Sequence, residues 1–392
     1  MDTQYMERAL QLAEAGRGYV APNPLVGAVL VQNGQIIGEG YHSHYGGIHA
    51  EQAAIQDAQQ RGNKIHSSTL YCTLEPCSFT APDKHNPPCT DAILQHGITE
   101  VVLALVDPNP LVSGNGITRL RDAGVTVRSG VCATAAVRQN ESYILPHVTN
   151  RPHIHLKWAQ SLDGCMAAHT GDSKWISSLQ ARDKVHTLRA SSDAILVGCG
   201  TAITDNPRLT ARTKTEGTRQ PLRVVVAAHA NLPLQHHLIQ HADTIPTRLY
   251  CLDTAPTRTV KDLAKAKVTV IPVAPDSENS QYVSMPHVFE DLYTNGIRSV
   301  LVEGGAGIHN TLLSQKLYDR ISVHTEPILL GAGPRPSTGM PPANTVATAM
   351  RFSDPLYQQL GTTIEMSALN PVSAAHLHNL IACSEEASCS QD

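Results

Sequence analysis

Apolar positions change period repeatedly along the first 130 residues. Residues 5–16 place Leu10 and Ala13 on one face of a helix, and 26–31 (VGAVLV) is an apolar run of strand length. A stretch rich in Gly and His at 38–47 reads as a loop. Residues 49–60 (HAEQAAIQDAQQ), free of Gly and Pro, read as a helix. A strand at 69–74, a helix at 88–96, a strand at 100–106, a helix at 116–123 and a strand at 125–128 complete the series. Strands alternating with helices predict a three-layer α/β/α domain.

The segment 144–153 (ILPHVTNRPH) interrupts this rhythm with two prolines and reads as a linker. Strand-like runs resume at 154–159, 193–198, 222–228, 247–252, 268–273 and 298–303. A helix at 178–190 carries Val185 and Leu188 on one side. These boundaries predict domains at 1–146 and 152–370, with 371–392 a tail whose last dozen residues are mobile. At 392 residues, two domains are the natural division.

Composition narrows the class. The chain is 41% hydrophobic and 16% charged, and no apolar run approaches the roughly 20 residues of a membrane helix. The N-terminus lacks the basic and apolar regions of a signal peptide. Nine scattered cysteines do not form a secreted disulfide framework, which predicts a cytoplasmic protein. A net charge of −4 argues against a nucleic-acid partner. Most of the 20 histidines, including those of LPLQHHLIQH, read as surface polar residues.

Two short stretches carry chemistry. His49-Ala50-Glu51 is followed by Pro76-Cys77 and, twelve positions on, by Cys89. One His and two Cys are three zinc ligands, leaving the fourth position for water. Zinc lowers the pKa of that water to about 7, and a carboxylate that is not a ligand, Glu51, shuttles its protons to a leaving amine. His49 and Glu51 leave the first turn of one helix in different directions. Pro87-Pro88-Cys89 opens another helix, where proline is tolerated and a thiolate meets the positive dipole end. A closed structural zinc site is the plainer alternative; it would need a fourth ligand, for which only His85 stands near, and it would have no use for Glu51.

In the second half, Val302-Glu303-Gly304-Gly305-Ala306-Gly307 ends a strand before a helix at 308–316. Glycines there let backbone N–H groups approach a phosphate, although a tight turn would look the same.

With these motifs in view, the chain resembles the RibD family of bifunctional riboflavin-biosynthesis enzymes, from about residue 5 to about 366. The resemblance rests on Pro22-Asn23-Pro24, Val26-Gly27, His49-Ala50-Glu51, Leu74-Glu75-Pro76-Cys77-Ser78, Pro87-Pro88-Cys89 and Asp107-Pro108-Asn109-Pro110. In the second half it rests on Lys157, Ser161-Leu162-Asp163-Gly164, Trp175-Ile176, Leu188-Arg189-Ala190, Asp193-Ala194-Ile195, Asp205-Asn206-Pro207, Leu209-Thr210, Arg212 and Glu303-Gly304-Gly305.

The resemblance implies a cytidine-deaminase-like domain followed by a dihydrofolate-reductase-like one. It implies deamination of a ribosylaminopyrimidine 5′-phosphate, then reduction of ribosyl to ribityl by NADPH, a cofactor that only the resemblance distinguishes from NADH. Carried over by motif, His49, Cys77 and Cys89 bind zinc, Glu51 moves protons, and Asn23 and His42 hold the deaminase substrate. Gln160, Trp175, Thr201, Asp205, Gly305, Ala306 and Gly307 face NADPH. Ser173, Arg189, Leu209, Arg212 and Glu303 face the reductase substrate, the arginines suiting a phosphate.

The chain departs from the family pattern in places. Phe79 stands where a His is usual, and 80–86 (TAPDKHN) is longer than usual, with Lys84 or His85 the available replacements. Gln160 stands in place of a small residue, and Arg320 in place of an acidic one. Two other readings stay open: a deaminase of nucleic acid or another purine or pyrimidine fused to a reductase-like domain, and a zinc-stabilised scaffold without activity. Self-association into a homo-oligomer is also left open.

Overall fold

A computed structural model describes residues 1–79, 87–110, 112–213 and 218–389, in two compact units: 1–150 with 375 onward, and 151–374. The first unit contains α1 (Asp2–Glu14), β1 (Gly27–Gln32), β2 (Gln35–Tyr41), α2 (Ala50–Gln60), β3 (Thr69–Cys72) and α3 (Cys89–Gln95). β4 (Glu100–Leu103), α4 (Asn115–Asp122), β5 (Thr126–Arg128) and α5 (Ala133–Thr149) follow. The sheet order is β2-β1-β3-β4-β5, with β1 antiparallel to both neighbours and β3, β4 and β5 parallel.

Part of the expected loop at 38–47 is strand β2. Its glycines serve packing: a Cβ at Gly38 or Gly40 would lie 2.3 Å from Ala54 backbone atoms of α2. Gly40 pairs with Ala28 and therefore shares its face, whereas a Cβ on neighbouring Gly27 would meet Ala9 of α1 at 1.9 Å. The two helices thus cover opposite faces of the sheet, the layered arrangement that the alternation implies.

The division between the two units falls inside the linker expected at 144–153, after Asn150, but most of that segment is helical. α5 runs through Pro146 to Thr149, and the next strand starts at His153. The tail is corrected: α12 (Pro371–Cys389) is helical, and its residues from Ala375 on belong to the first unit. There Ser384 is fully buried, its hydroxyl accepting from Val106 N–H at 3.1 Å, while Arg121 donates to the Ala387 carbonyl at 2.6 Å.

The second unit runs β6 (His153–Ser161), α6 (Leu179–Ala190), β7 (Ala194–Gly198), α7 (Cys199–Asp205), β8 (Leu222–Val226), α8 (His237–Gln240) and β9 (Thr247–Leu252). It continues with α9 (Thr257–Lys265), β10 (Thr269–Val273), α10 (Met285–Thr294), β11 (Ser299–Val302), α11 (Ala306–Ser314), β12 (Arg320–Glu326), β13 (Ser353–Leu360) and β14 (Thr363–Leu369). The order in the sheet is β10-β9-β8-β7-β11-β6-β12-β14-β13.

β12 to β14 were not foreseen from the apolar pattern, because polar residues such as Ser322, His324 and Glu365 occupy buried positions on them. Alternate residues of β7 feed two cores: Ala194 and Leu196 pack with Trp158 and Phe289, Ile195 and Val197 with Val225 and Leu249. On β6 the alternation is different. Ile154, Leu156 and Trp158 join one core, while His153, His155 and Lys157 give the other face a polar stripe. Among the described residues no helix is long and apolar enough to cross a membrane.

Candidate active sites

In the first unit, three chain turns converge. His49 sits just before α2 in extended geometry (φ −76°, ψ 159°), Cys77 follows the Glu75-Pro76 segment beyond β3, and Cys89 is the first residue of α3. His49 Nδ1 lies 3.2 Å from Cys89 Sγ and 3.6 Å from Cys77 Sγ, and the three donor atoms lie within 4.8 Å of one another. A tetrahedral centre with bonds of about 2.0–2.3 Å separates its donors by roughly 3.3–3.8 Å, so the set fits zinc. Burial pushes the Cys89 thiol well up, with the neighbouring Cys77 and Glu51 adding to the effect. A dication reverses that preference by stabilising the thiolates.

Glu51 lies in the first turn of α2, only 3% exposed. Burial raises its carboxyl pKa, against the opposing pull of His49. Burial thus favours the protonated form of this carboxyl relative to one in water.

Asn23 and His42 are together: Asn23 Nδ2 is 3.1 Å from His42 Nε2, and His42 Nδ1 is 2.9 Å from the Ile48 carbonyl. The carbonyl requires N–H at Nδ1, so a neutral His42 offers Nε2 as acceptor for Asn23. Burial lowers the His42 pKa, in keeping with the neutral ring. The His42 and His49 rings meet edge to face at 5.6 Å.

Glu75 anchors the Cys77 segment. Its carboxylate accepts backbone N–H groups of Asp107 (3.2 Å), Gly114 (2.9 Å), Gly116 (2.9 Å) and Ile117 (3.2 Å), capping the N-terminal end of α4. A Cβ at Gly116 would lie 2.1 Å from the Pro76 carbonyl oxygen, which explains glycine there. Phe79 is half-buried; Lys84 and His85 lie outside the described residues.

The second unit holds a cavity of about 840 Å³. It is lined by Ser173, Trp175, Arg189, Thr201, Asp205, Leu209, Arg212, Glu303, Gly305, Ala306 and Gly307, all foreseen from sequence. Gln160 does not line it. Its amide oxygen accepts from Trp158 Nε1 at 2.8 Å, and its nitrogen donates to Thr325 Oγ1 at 3.4 Å. The other departure, Arg320, donates to Ser367 Oγ at 2.7 Å.

Glu303 and Arg189 form a two-bonded ion pair at 2.6 and 2.8 Å, and Arg189 also donates to the Thr210 carbonyl at 3.1 Å. Burial alone would raise the Glu303 pKa, but Arg189 outweighs it and the net shift is downward. Arg212 bonds Thr210 Oγ1 at 2.8 Å and approaches His186 Nε2 at 3.1 Å. Its pKa is lowered by burial and then by Arg189 and Arg208, the mark of a locally positive corner.

β11 delivers Glu303, and the chain then turns through Gly304 and Gly305 into α11. A Cβ at Gly304 would lie 1.8 Å from Ile308 Cγ2, and one at Gly305 would lie 2.8 Å from Thr201 Oγ1. Bare glycines before a helix N-terminus leave N–H groups open to an anionic group. Leu209 is 2% exposed, in the left-handed region (φ 51°), and both joins the core and lines the cavity. Trp175 is 72% exposed, under the Arg182 guanidinium at 4.8 Å.

Lys157, His186, Arg182 and Arg208 also line the cavity without having been given roles from sequence. The signal for Lys157 was present in HIHLKW, where polar residues alternate along one face of a central strand. Burial lowers its pKa, opposed by nearby Glu303.

Comparison with known proteins agrees with this division. Residues 1–105 match the cytidine and deoxycytidylate deaminase zinc-binding region, and 152–362 match the RibD C-terminal domain. The riboflavin biosynthesis protein RibD of Aquifex aeolicus is 39% identical over 334 residues, covering 85% of this chain and 89% of that protein. The Escherichia coli protein of the same name is 36% identical over 366 residues, covering 90% and 94%. A Thermotoga maritima structure, a diaminohydroxyphosphoribosylaminopyrimidine deaminase/5-amino-6-(5-phosphoribosylamino)uracil reductase, superposes with a TM-score of 0.80 at 32% identity, covering 94% of this chain and 98% of that one. Acinetobacter baumannii RibD gives 0.81 at 32% identity with the same coverage.

Proposed function

The chain belongs to the RibD family of bifunctional deaminase-reductases of riboflavin biosynthesis, and on that premise we propose which residues carry each reaction and on what substrate. The substrate is 2,5-diamino-6-ribosylamino-4(3H)-pyrimidinone 5′-phosphate. The first unit hydrolyses its 2-amino group to a carbonyl with release of ammonia, and the second reduces ribosyl to ribityl. The observation that carries this reading is the meeting of His49, Cys77 and Cys89 beside buried Glu51, in the same chain as a cavity built around Glu303 and the glycine turn.

His49, Cys77 and Cys89 would hold zinc, which when bound would lower the pKa of a water toward neutrality. Glu51 takes a proton from that water and passes it to the departing amine. Asn23 and His42, locked to each other, orient the ring. In the second unit, NADPH supplies the hydride. Gly305, Ala306 and Gly307 face its phosphates, and Trp175, Thr201 and Asp205 face the rest of it. Because Glu303 occupies the Arg189 fork, the substrate phosphate falls to Arg212, with Arg208 near it. Glu303 and Lys157, with Ser173 and Leu209, border the reacting sugar and base.

The substrate is a free nucleotide rather than nucleic acid, in keeping with the net charge of −4, and the two thiolate ligands suit the reducing cytoplasm. The test is a coupled assay with that nucleotide, with and without NADPH, read by mass spectrometry. Without NADPH the deaminated intermediate accumulates, and with it a product two hydrogens heavier appears. No deamination by zinc-loaded protein would overturn the first half of the reading, and no reduction of supplied intermediate the second.

A further inference from the structure

α5 carries none of the metal ligands or substrate contacts proposed above, yet it departs from helical geometry at one residue, Asn140 (φ −117°, ψ 19°). Asn140 is 2% exposed. Its Oδ1 accepts from Leu25 N–H at 2.8 Å, and its Nδ2 donates to the Leu25 carbonyl at 2.9 Å. One side-chain amide thus satisfies both polar groups of one backbone residue, as a neighbouring strand would. Leu25 stands two residues after Asn23.

We infer that Asn140 is a positioning residue for deamination: by clamping Leu25 from α5, it fixes where Asn23 meets the pyrimidine. This rests on the reading of Asn23 as a substrate contact. The connection is short and continuous. Asn23 is held on its N-terminal side by its own N–H to the Val20 carbonyl at 2.9 Å, and on its C-terminal side by the clamp. Its side chain then meets His42, whose other ring nitrogen meets Ile48, the residue before His49.

His42 is itself tied to the residue after Leu25, its N–H donating to the Val26 carbonyl at 3.0 Å. Removing the amide leaves the buried N–H and C=O of Leu25 to find new partners. The loop must shift or admit water, and Asn23 moves with it. Displacements on the order of 1 Å at a substrate contact cost a factor of ten or more.

The test uses the full zinc-loaded chain and measures both reactions. Asn140→Ala should raise KM for deamination about tenfold while kcat stays within about threefold. Zinc should remain at one per chain, and reduction of supplied deaminated intermediate should be unchanged. Asn140→Gln keeps both donor and acceptor one methylene further out, so its KM should fall between; it carries the test if the alanine variant does not fold. In an Asn23→Ala background, Asn140→Ala should add less than about twofold, because its effect passes through Asn23.

An unchanged KM, a full independent tenfold effect in the Asn23→Ala background, or a joint loss of zinc and both activities would overturn the inference. If Asn23→Ala alone leaves KM unchanged, the assignment of Asn23 to substrate is what has failed.

Discussion

Glu51→Gln isolates proton transfer from metal binding. Glutamine has nearly the same shape, and the three donor atoms belong to His49, Cys77 and Cys89 rather than to residue 51. Zinc content should therefore stay at one per chain. The amide cannot take a proton from the attacking water. Loss of a positioned acid-base group costs about 10²–10⁴ in rate, or about 2.7–5.4 kcal/mol of barrier at 1.36 kcal/mol per tenfold. The upper part of that range is expected, because Glu51 is 3% exposed and bulk water has little access to replace it.

Stability should move the other way. Burial raises the Glu51 carboxyl pKa in the folded chain, so its contribution is full below the unfolded value of about 4.3 and is lost as pH rises through the folded one. A neutral amide carries no such penalty, and the metal-free variant should melt no lower than wild type at pH 7.5. The assay follows deamination, metal content and reduction of supplied intermediate on one preparation. Deamination within tenfold of wild type would refute the proton-transfer role; loss of zinc would show that Glu51 serves the metal.

Glu303→Gln should leave Arg189 and Lys157 facing the cavity without their anion. Breaking such a buried pair costs about 3–5 kcal/mol of stability, taken at the low end because cavity water reaches both partners; reduction should fall and be lost at lower temperature, with deamination unchanged, as the two rates measured on heating will show. Burial raises the Asp107 carboxyl pKa to about 7, while Asn109 N–H and Tyr143 O–H bond the charged form. Its contribution to stability is therefore full below pH of about 4 and is lost as pH rises to about 7; Asp107→Asn should shrink the fall in Tm between about pH 4.5 and about pH 7.5. Removing residues 381–392 deletes the Ser384 and Ala387 bonds to the first unit, including Ser129 Oγ to the Ser384 carbonyl. At about 1 kcal/mol each, roughly 3 kcal/mol of that unit's stability should go, seen as an earlier loss of deamination than of reduction on heating.

What could be read from the sequence divides by distance along the chain. The zinc donors and Glu51 are legible because residue type and local spacing carry the chemistry: His49 and Glu51 share one helical turn, and Cys89 follows two prolines at a helix start. The glycine turn at 304–305 is legible for the same reason. Gly38 and Gly40 mislead, since glycine signals a loop locally, whereas here it lets α2 lie against β2. Polar residues at buried positions hid β12 and β14, because the apolar pattern that marks a strand assumes apolar neighbours. The C-terminal residues mislead as a polar tail, because the groups that hold Ser384 and Ala387 lie at Val106, Ser129 and Arg121.

The same distance decides which functional residues escape a sequence reading. Arg189 and Glu303 are each visible, but their pairing, 114 positions apart, is not, and it is the pairing that moves the phosphate assignment to Arg212. Asn140 and Leu25 are 115 positions apart, and neither residue type suggests chemistry by itself. A buried amide bonding both backbone groups of one residue, next to a side chain that already contacts a histidine of the site, has a defined task that only the fold exposes. Residues of this kind set how well a motif works, while the motif sets which reaction it performs. It follows that variants at Asn140 should alter substrate affinity without altering the metal or the chemistry, whereas Glu51→Gln should stop the chemistry with the metal still in place.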